Sequence, residues 1–346
     1  MNLLESSISV QEAWTTLLGQ VVDDGAVVEP VRDASSVGSQ FGRETRGTRE
    51  LRVAGSWIRH PRDRWVVSGV RGYRVEYAIA LVVHALSRSR SIAPLLFYNR
   101  SGARFSDDGS TLNSAIGPRI FGGESTPLSQ FEAALDRLQS DPASRRAYLQ
   151  VFLPQDVIEP TRDVSCTGAL HFLVRGGCLE AIGQMRSQSV LMVLPYDLFL
   201  LTMLQELASV RLGIPLGGFA HVCNSAHVYE DELPLARAVL ADSGHRVPAM
   251  PPMTPEAVRQ IPDLVRVEQA GRVALALDPR QSCRPWLNEL TPYWRDLLNL
   301  MWGAWKRSNG VPLDENDVEQ LPDDYRQLLI GLSDTRTNRT LATIAQ

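Results

Sequence analysis

The sequence is almost without lysine. Its 35 basic residues are 34 arginines and a single lysine, Lys306. This excludes a lysine Schiff base or a phosphate-loop lysine anywhere before residue 306. Arginine remains, and its planar guanidinium binds carboxylate or phosphate through two parallel hydrogen bonds. Because a GC-rich coding sequence also favours arginine, only some of these arginines are expected to bind a ligand.

The cysteines are few and widely spread. They stand at positions 166, 178, 223 and 283, with separations that fit neither a zinc site nor a redox dithiol. No stretch approaches the ~18 apolar residues of a membrane span, and the N-terminal region lacks a signal-peptide apolar run. A net charge of −4 argues against a general nucleic-acid or anionic-membrane binder. We therefore expect a cytoplasmic protein with reduced thiols and no metal, nucleic-acid or membrane partner.

Apolar periodicity predicts interleaved helices and strands. Helices are predicted over 9–21, 75–87, 128–139, 196–212, 232–241 and 290–307. Strands are predicted over 50–57, 65–70, 147–153, 169–175, 179–184, 216–222 and near 264–276. The stretch 99–125 is predicted to be a long loop, 246–264 a proline-rich connector and 287–346 a C-terminal helical segment. Since no linker separates two halves, we expect one α+β domain over 1–346, with a mixed or antiparallel sheet and flanking helices.

Several short motifs in one order carry a specific resemblance. They are Ser144-Arg145-Arg146, Cys166, Arg186-Ser187, Leu194-Pro195-Tyr196-Asp197 and His227-Val228-Tyr229. Each is weak alone, since a lone cysteine is more often a small buried hydrophobe than a nucleophile. Together, with 20 residues from Cys166 to Arg186 and 61 from Cys166 to His227, the chain resembles the thymidylate synthase family over residues 40–235. Phe105–Gly109 and Gly117-Pro118-Arg119 resemble the family's pyrimidine-nucleotide hydroxymethylase branch.

The resemblance implies a nucleotide site shared between the subunits of an obligate homodimer, whose interface is the sheet. Arg186 and Ser187 would hold the phosphate from one subunit, while Arg145 and Arg146 would reach across from the other. A further arginine, Arg43 or Arg46, would close over the phosphate. The sugar-binding residues implied in this way are His227 and Tyr229.

The resemblance also implies that Cys166 adds to C6 of a pyrimidine. That addition makes C5 a nucleophile toward a one-carbon electrophile, so the expected class is a one-carbon transferase of nucleotide biosynthesis. At position 197 thymidylate synthases carry asparagine and cytosine-specific hydroxymethylases carry aspartate, and this chain has Asp197. The aspartate favours CMP or dCMP as substrate. The alternative is that Asp197 only caps the helix predicted over 198–212.

Four positions depart from the family pattern. A proton-relaying glutamate is expected where Leu81 stands, and Glu76 is five residues away. A tryptophan is replaced by His84, a tyrosine by Ile116, and a pterin-contacting aspartate by Ser189. These changes argue against methylenetetrahydrofolate as cofactor, and no residue is assigned to a cofactor.

Three functions therefore stay open. The first is folate-dependent hydroxymethylation of a cytidine nucleotide through a covalent Cys166 adduct. The second is a folate-independent enzyme of specialised metabolism, of the nucleoside-antibiotic type, that uses Cys166 for Michael addition. The third is a non-catalytic nucleotide-binding paralogue or partner subunit.

Overall fold

A computed structural model describes residues 5–29, 46–123, 128–242, 245, 247–313 and 318–331. In this part of the chain one eight-stranded mixed sheet lies among helices, which confirms the predicted α+β fold class. The strand order is β1-β3-β8-β6-β5-β4, with β2 paired to β3 and β7 paired to β8. The strands are β1 (Glu5–Ser7), β2 (Ala26–Val28), β3 (Thr48–Ile58), β4 (Tyr148–Gln150), β5 (Thr167–Arg175), β6 (Cys178–Met185), β7 (Gln188–Ser189) and β8 (Leu216–Tyr229).

The helices cover the sheet and form most of the C-terminal third. They are α1 (Val10–Asp24), α2 (Val75–Leu86), α3 (Ala93–Tyr98), α4 (Ile116–Phe121), α5 (Gln130–Ser140), α6 (Gln155–Ile158), α7 (Leu194–Leu212), α8 (Leu233–Ala241), α9 (Pro255–Arg259), α10 (Ile261–Leu277), α11 (Arg284–Leu287), α12 (Pro292–Ser308) and α13 (Asp323–Gly331). None of these helices is long and apolar enough to cross a membrane.

The hairpin of β5 and β6 sets the frame of the site. Gly176 and Gly177 join the two strands with φ angles of 56° and 77°, a left-handed pair that favours glycine. A bulge between Thr167 and Ala169 shifts the pairing, so that Thr167 lies opposite Met185. The start of β5 and the end of β6 therefore meet at one end of the sheet.

Helix α7 is the buried centre of the fold. It packs on β6 and β8, and two arginines, Arg62 and Arg64, form ion pairs with its Glu206 at 2.9 and 2.7 Å. The turn before α7 is fixed from the N-terminal helix, because the indole of Trp14 donates to the Val190 carbonyl at 2.9 Å. The indole contact thus fixes the start of α7, and the ion pairs fix its C-terminal half.

Two predicted strands are wrong. The strand predicted near 264–276 is helix α10, which buries Leu264, Val267, Gly271 and Leu275 at helical spacing. The segment 65–70 is irregular, because a side chain, Gln11, takes the Val67 N–H at 2.8 Å in place of a strand neighbour.

Two irregular stretches contain helices that the sequence did not predict. The predicted loop 99–125 holds a 3-10 helix over Arg100–Phe105 and then α4. Within the predicted connector 246–264, helices begin at Pro255 and Ile261. Both have proline in the first turn, where its missing N–H costs no hydrogen bond.

Candidate active site

Cys166 and Arg186 meet at the end of the β5–β6 hairpin. Cys166 is exposed and directly precedes β5, and Arg186 directly follows β6. The Arg186 N–H donates to the Cys166 carbonyl at 2.9 Å. Its guanidinium donates to the Ser165 carbonyl at 2.7 Å and to the Val164 carbonyl at 3.2 Å, and lies 3.7 Å from Cys166 Sγ. Arg186 thus fixes the turn that carries the cysteine and places a positive charge beside the sulfur.

The surroundings of the four thiols differ. Cys178 is half-buried, and Cys223 and Cys283 are buried. Burial raises the pKa of the Cys223 thiol to about 12, and the nearby Cys166, Asp197 and Glu50 add to this effect. A guanidinium beside a thiol has the opposite effect and favours the thiolate. Cys166 therefore has the exposure and the neighbour that a nucleophilic cysteine needs.

Asp197 does not cap a helix. Helix α7 begins at Leu194, its N-cap position is Val193, and no side chain caps it. The alternative role predicted for Asp197 is therefore wrong. Its side chain instead accepts a hydrogen bond from Gln188 Nε2 at 2.8 Å. Burial raises the pKa of the Asp197 carboxyl to about 6, although the bond from Gln188 acts in the opposite direction.

Gln188 and His221 are site residues that the sequence did not indicate. Each side chain is 1% exposed, and His221 Nε2 lies 3.3 Å from Gln188 Oε1. Burial lowers the pKa of His221 to about 4, so the imidazole is neutral at pH 7. The three side chains form a buried hydrogen-bonded row that ends on Asp197. The only indication in the sequence was that each is a polar residue in a strand that has a buried face.

His227 and Tyr229 lie on one face of β8, as the alternation of a strand predicts. Their ring centroids are 5.3 Å apart. The guanidinium of Arg46 lies 3.8 Å from the Tyr229 ring centroid and forms an ion pair with Asp231 at 3.1 Å. The predicted alternative, Arg43, lies outside the described residues.

Arg145 and Arg146 lie far from Cys166 within one chain. Both are exposed and precede β4. The next residue, Ala147, lies beside Phe172 of β5, because its carbonyl accepts from the Phe172 N–H at 2.9 Å. Phe172 is six residues along β5 from Cys166, a distance of about 20 Å in a strand. A single chain therefore does not bring the two arginines to the cysteine. Ser187, by contrast, follows Arg186 directly and is half-buried.

The loop that resembles the hydroxymethylase branch supports the segment before Cys166. Asp163 accepts hydrogen bonds from the Ser114 N–H at 2.7 Å and hydroxyl at 2.5 Å. Asp107 accepts from the Arg162 N–H at 2.8 Å. Two carboxylates thus tie the loop to the chain leading into β5.

The residues at positions that depart from the family pattern lie in different environments. Leu81 packs against the apolar core. Glu76, five residues earlier on α2, accepts a hydrogen bond from Ser308 of α12 at 2.9 Å. The buried Ser189 Oγ has no hydrogen-bond partner in the described part of the chain. No group of three or more His, Cys, Asp or Glu that could hold a metal ion occurs among the described residues.

Part of the chain is similar to known proteins. Residues 97–266 match the family model of thymidylate synthase. The deoxyuridylate hydroxymethyltransferase of Bacillus phage SP01 is 24% identical over 234 residues, which cover 64% of this chain and 57% of that protein. That of Delftia phage PhiW-14 is 27% identical over 202 residues, covering 53% and 54%. The thymidylate synthase of Listeria monocytogenes serotype 4a (strain HCC23) is 23% identical over 124 residues, covering 36% and 39%.

These matches confirm the predicted resemblance to the thymidylate synthase family and to its hydroxymethylating branch. The relatives are one-carbon transferases, the enzyme class expected from the motifs. The chain spans about half the length of the two phage relatives and less of the bacterial synthase.

Cys166 is expected to react with iodoacetamide faster than the other cysteines, because it is the exposed one. The change Arg186→Met is expected to slow this reaction several-fold at pH 7, since loss of the guanidinium lowers the thiolate fraction. Peptide mass spectrometry in a Cys178→Ser background measures the rate. Arg211→Met is the matched control, because Arg211 is paired with Glu132 at 2.7 Å. An unchanged rate in Arg186→Met would show that the guanidinium does not activate the thiol.

Proposed function

We propose that this chain, which carries a thymidylate synthase domain, transfers a one-carbon unit to C5 of a pyrimidine nucleotide. The observation that carries the proposal is the exposed Cys166 with the Arg186 guanidinium 3.7 Å from its sulfur. Asp197 and Cys166 both lie near Cys223 and act on its thiol, and their shared location supports the proposal. A nucleophile, a cation and a group able to read a base edge thus lie at one end of the sheet.

In the proposed reaction the Cys166 thiolate adds to C6 of the pyrimidine. The S–C6 bond forms while the electron pair of the C5–C6 double bond moves to C5. C5 would then bond to a one-carbon electrophile and lose its proton as the carrier of that carbon leaves. Water would add to the transferred carbon to give a hydroxymethyl group, and loss of the Cys166 thiolate from C6 would restore the double bond. Arg186 holds the cysteine turn in place throughout, because it donates to two carbonyls of that turn.

Methylenetetrahydrofolate is the donor that the resemblance implies, and it would supply the methylene carbon as electrophile. By the resemblance Ser189 stands where an aspartate would contact the pterin, and its buried Oγ has no hydrogen-bond partner among the described residues. A hydroxyl offers a pterin one hydrogen bond but not the charge of the expected aspartate. Leu81 packs in the core and offers no carboxylate for proton transfer.

The proposed substrate is a cytidine nucleotide, CMP or dCMP. A carboxyl that is neutral below a pKa of about 6 can donate to N3 of cytosine and accept from its exocyclic amine. The phage relatives are named for deoxyuridylate, so we expect this chain to differ from them in the base that it accepts. The Gln188 contact, in place of a helix cap, leaves Asp197 available for this role.

Leu81 also supports a second candidate, a folate-independent enzyme of specialised metabolism. Addition of Cys166 to C6 saturates the C5–C6 bond without any folate, and this permits proton exchange at C5. A third candidate is a nucleotide-binding subunit without catalysis. The three candidates differ in whether C5 exchanges its proton and in what that exchange requires.

We further propose that the phosphate site is completed across a homodimer. Arg145 and Arg146 are exposed and lie about 20 Å along the sheet from Cys166. They would therefore serve the site of the partner, as the resemblance implies. This arrangement supplies guanidinium groups in a chain that has only one lysine.

Release of tritium from C5 tests the catalytic proposal. CMP, dCMP, UMP and dUMP labelled at C5 are incubated with and without methylenetetrahydrofolate, and tritium in water is counted. We expect release from the cytidine nucleotides, dependent on folate and abolished by Cys166→Ala but not by Cys178→Ala. Full turnover by Cys166→Ala would contradict a covalent adduct. Release without folate would favour the second candidate, and binding without release the third.

The base proposal predicts a pH effect on binding. As the pH rises through about 6, the Asp197 carboxyl loses the proton that it donates, so CMP affinity should fall by up to about tenfold per pH unit. Asp197→Asn should remove this dependence and shift preference toward UMP. CMP binding to both proteins is measured by calorimetric titration. Comparison of the two cancels the contribution of the CMP phosphate, whose second pKa is about 6. A pH dependence unchanged in Asp197→Asn would exclude Asp197 from base recognition.

The shared site predicts complementation between inactive variants. Cys166→Ala and the double variant Arg145→Ala, Arg146→Ala should each be inactive. After unfolding and refolding as an equal mixture, about a quarter of wild-type activity should return, because half of the dimers are mixed and each has one intact site. Activity that stays at background after mixing, with mixed dimers detected by native mass spectrometry, would contradict a shared site.

A further inference from the structure

We infer that Gln188, held in place by His221, decides which pyrimidine base the site accepts, by fixing which oxygen of Asp197 accepts a hydrogen bond and which carries the proton. This inference rests on the proposed function. Asp197 is the group that touches the base, and Gln188 and His221 are positioning residues behind it.

The orientation of the Gln188 amide follows from Asp197, because an ionised carboxylate only accepts hydrogen bonds and therefore faces the NH2 end of the amide. A glutamine amide has one acceptor end and one donor end. His221 is buried and neutral, and it lies 3.3 Å from Gln188 Oε1 through Nε2. Because that oxygen can only accept, the hydrogen of the neutral imidazole is on Nε2. The amide group then points its NH2 toward Asp197 Oδ2, at 2.8 Å.

This contact makes the two oxygens of Asp197 unequal. Oδ2 receives the N–H of Gln188, so it serves as the acceptor oxygen of the carboxyl. In the neutral acid the proton is then on Oδ1, which becomes a donor. Asp197 therefore presents a donor and an acceptor in a fixed order instead of two interchangeable oxygens.

A fixed order is what distinguishes the two bases. Cytosine presents an acceptor at N3 and a donor at its exocyclic amine, whereas uracil presents a donor at N3 and an acceptor at O4. A carboxyl whose proton can sit on either oxygen matches both edges. A carboxyl whose acceptor oxygen is fixed matches only one of them. Selectivity thus depends on Gln188 as much as on Asp197.

A purely structural role for Gln188 predicts a different outcome. The loss of a buried amide would then lower stability and weaken CMP and UMP binding alike. Gln205 provides the comparison, since it is 0% exposed and its amide donates only to backbone carbonyls, at 2.9 to 3.2 Å. Gln205→Met should lower the melting temperature and leave the ratio of the two affinities unchanged.

The experiment measures dissociation constants of CMP and UMP, at pH 5.5, for the wild type and for the variants Gln188→Met, His221→Leu and His221→Gln. We expect the ratio of the two affinities to be about tenfold or more lower in Gln188→Met than in the wild type. In the variant the Asp197 proton can sit on either oxygen, so the disfavoured base no longer leaves a buried group unsatisfied. His221→Leu should lower the ratio as well. His221→Gln should restore it, because the new amide can donate to Gln188 from the same side.

The outcomes separate this inference from the proposed function. A wild type that binds neither nucleotide overturns the proposed function. A wild type that discriminates, with the same ratio in Gln188→Met and His221→Leu, overturns only the inference. An equal loss of selectivity in Gln205→Met also overturns it. A wild type that prefers UMP and loses that preference in Gln188→Met supports the inference and overturns the choice of cytosine. If Gln188→Met does not fold, the two His221 variants decide the question.

Discussion

The register of one hairpin determines the rest of the site. The Gly176-Gly177 turn places Arg175 opposite Cys178, and the bulge after Thr167 then shifts the pairing by one residue. Cys166 and Arg186 thereby face each other where the two strands end. An ordinary residue in place of either glycine would carry a left-handed backbone at a cost of roughly 1 kcal/mol. Because β6 is parallel to β8, the same register brings the chain after Arg186 alongside the strand that carries His227.

Charge at the site is sparse and unevenly distributed. Burial holds His221 neutral and raises the pKa of Asp197 into the range where a carboxyl can both donate and accept. Arg186 is the cation beside the exposed thiol, and its contacts with Val164 and Ser165 keep it there. A net charge of −4 therefore does not oppose an anionic nucleotide, since the field that matters is local. Arginines of a second subunit would complete that field.

Spacing along the chain predicted some of these neighbours and missed others. His227 and Tyr229 were predicted to share a face because side chains alternate along a strand. The site roles of Cys166 and Arg186 came from the family resemblance, and the register of the β5–β6 hairpin brings the two together. The helix over Ile261–Leu277 was predicted as a strand because a short apolar pattern fits both periods. Gln188 and His221 were not predicted, since a polar residue in a strand indicates neither its partner nor its burial. The departure at Leu81 was visible in the sequence, but its packing in the core was not.

The sequence by itself determined the α+β class, the order of the motifs and the reliance on arginine in a chain with one lysine. These properties follow from composition and local periodicity, which are written along the chain. Only the tertiary structure decided that Asp197 is not a helix cap, that its Oδ2 accepts from Gln188, and that Arg145 lies away from Cys166 within one chain. Each depends on where a helix starts or on a hydrogen bond between separate elements. Such a bond joins Gln188 to His221 across 33 residues, and another joins Trp14 to Val190 across 176. The burial of such a side chain, and the identity of its distant hydrogen-bond partner, depend on the packing of the whole chain. No local sequence pattern therefore encodes them.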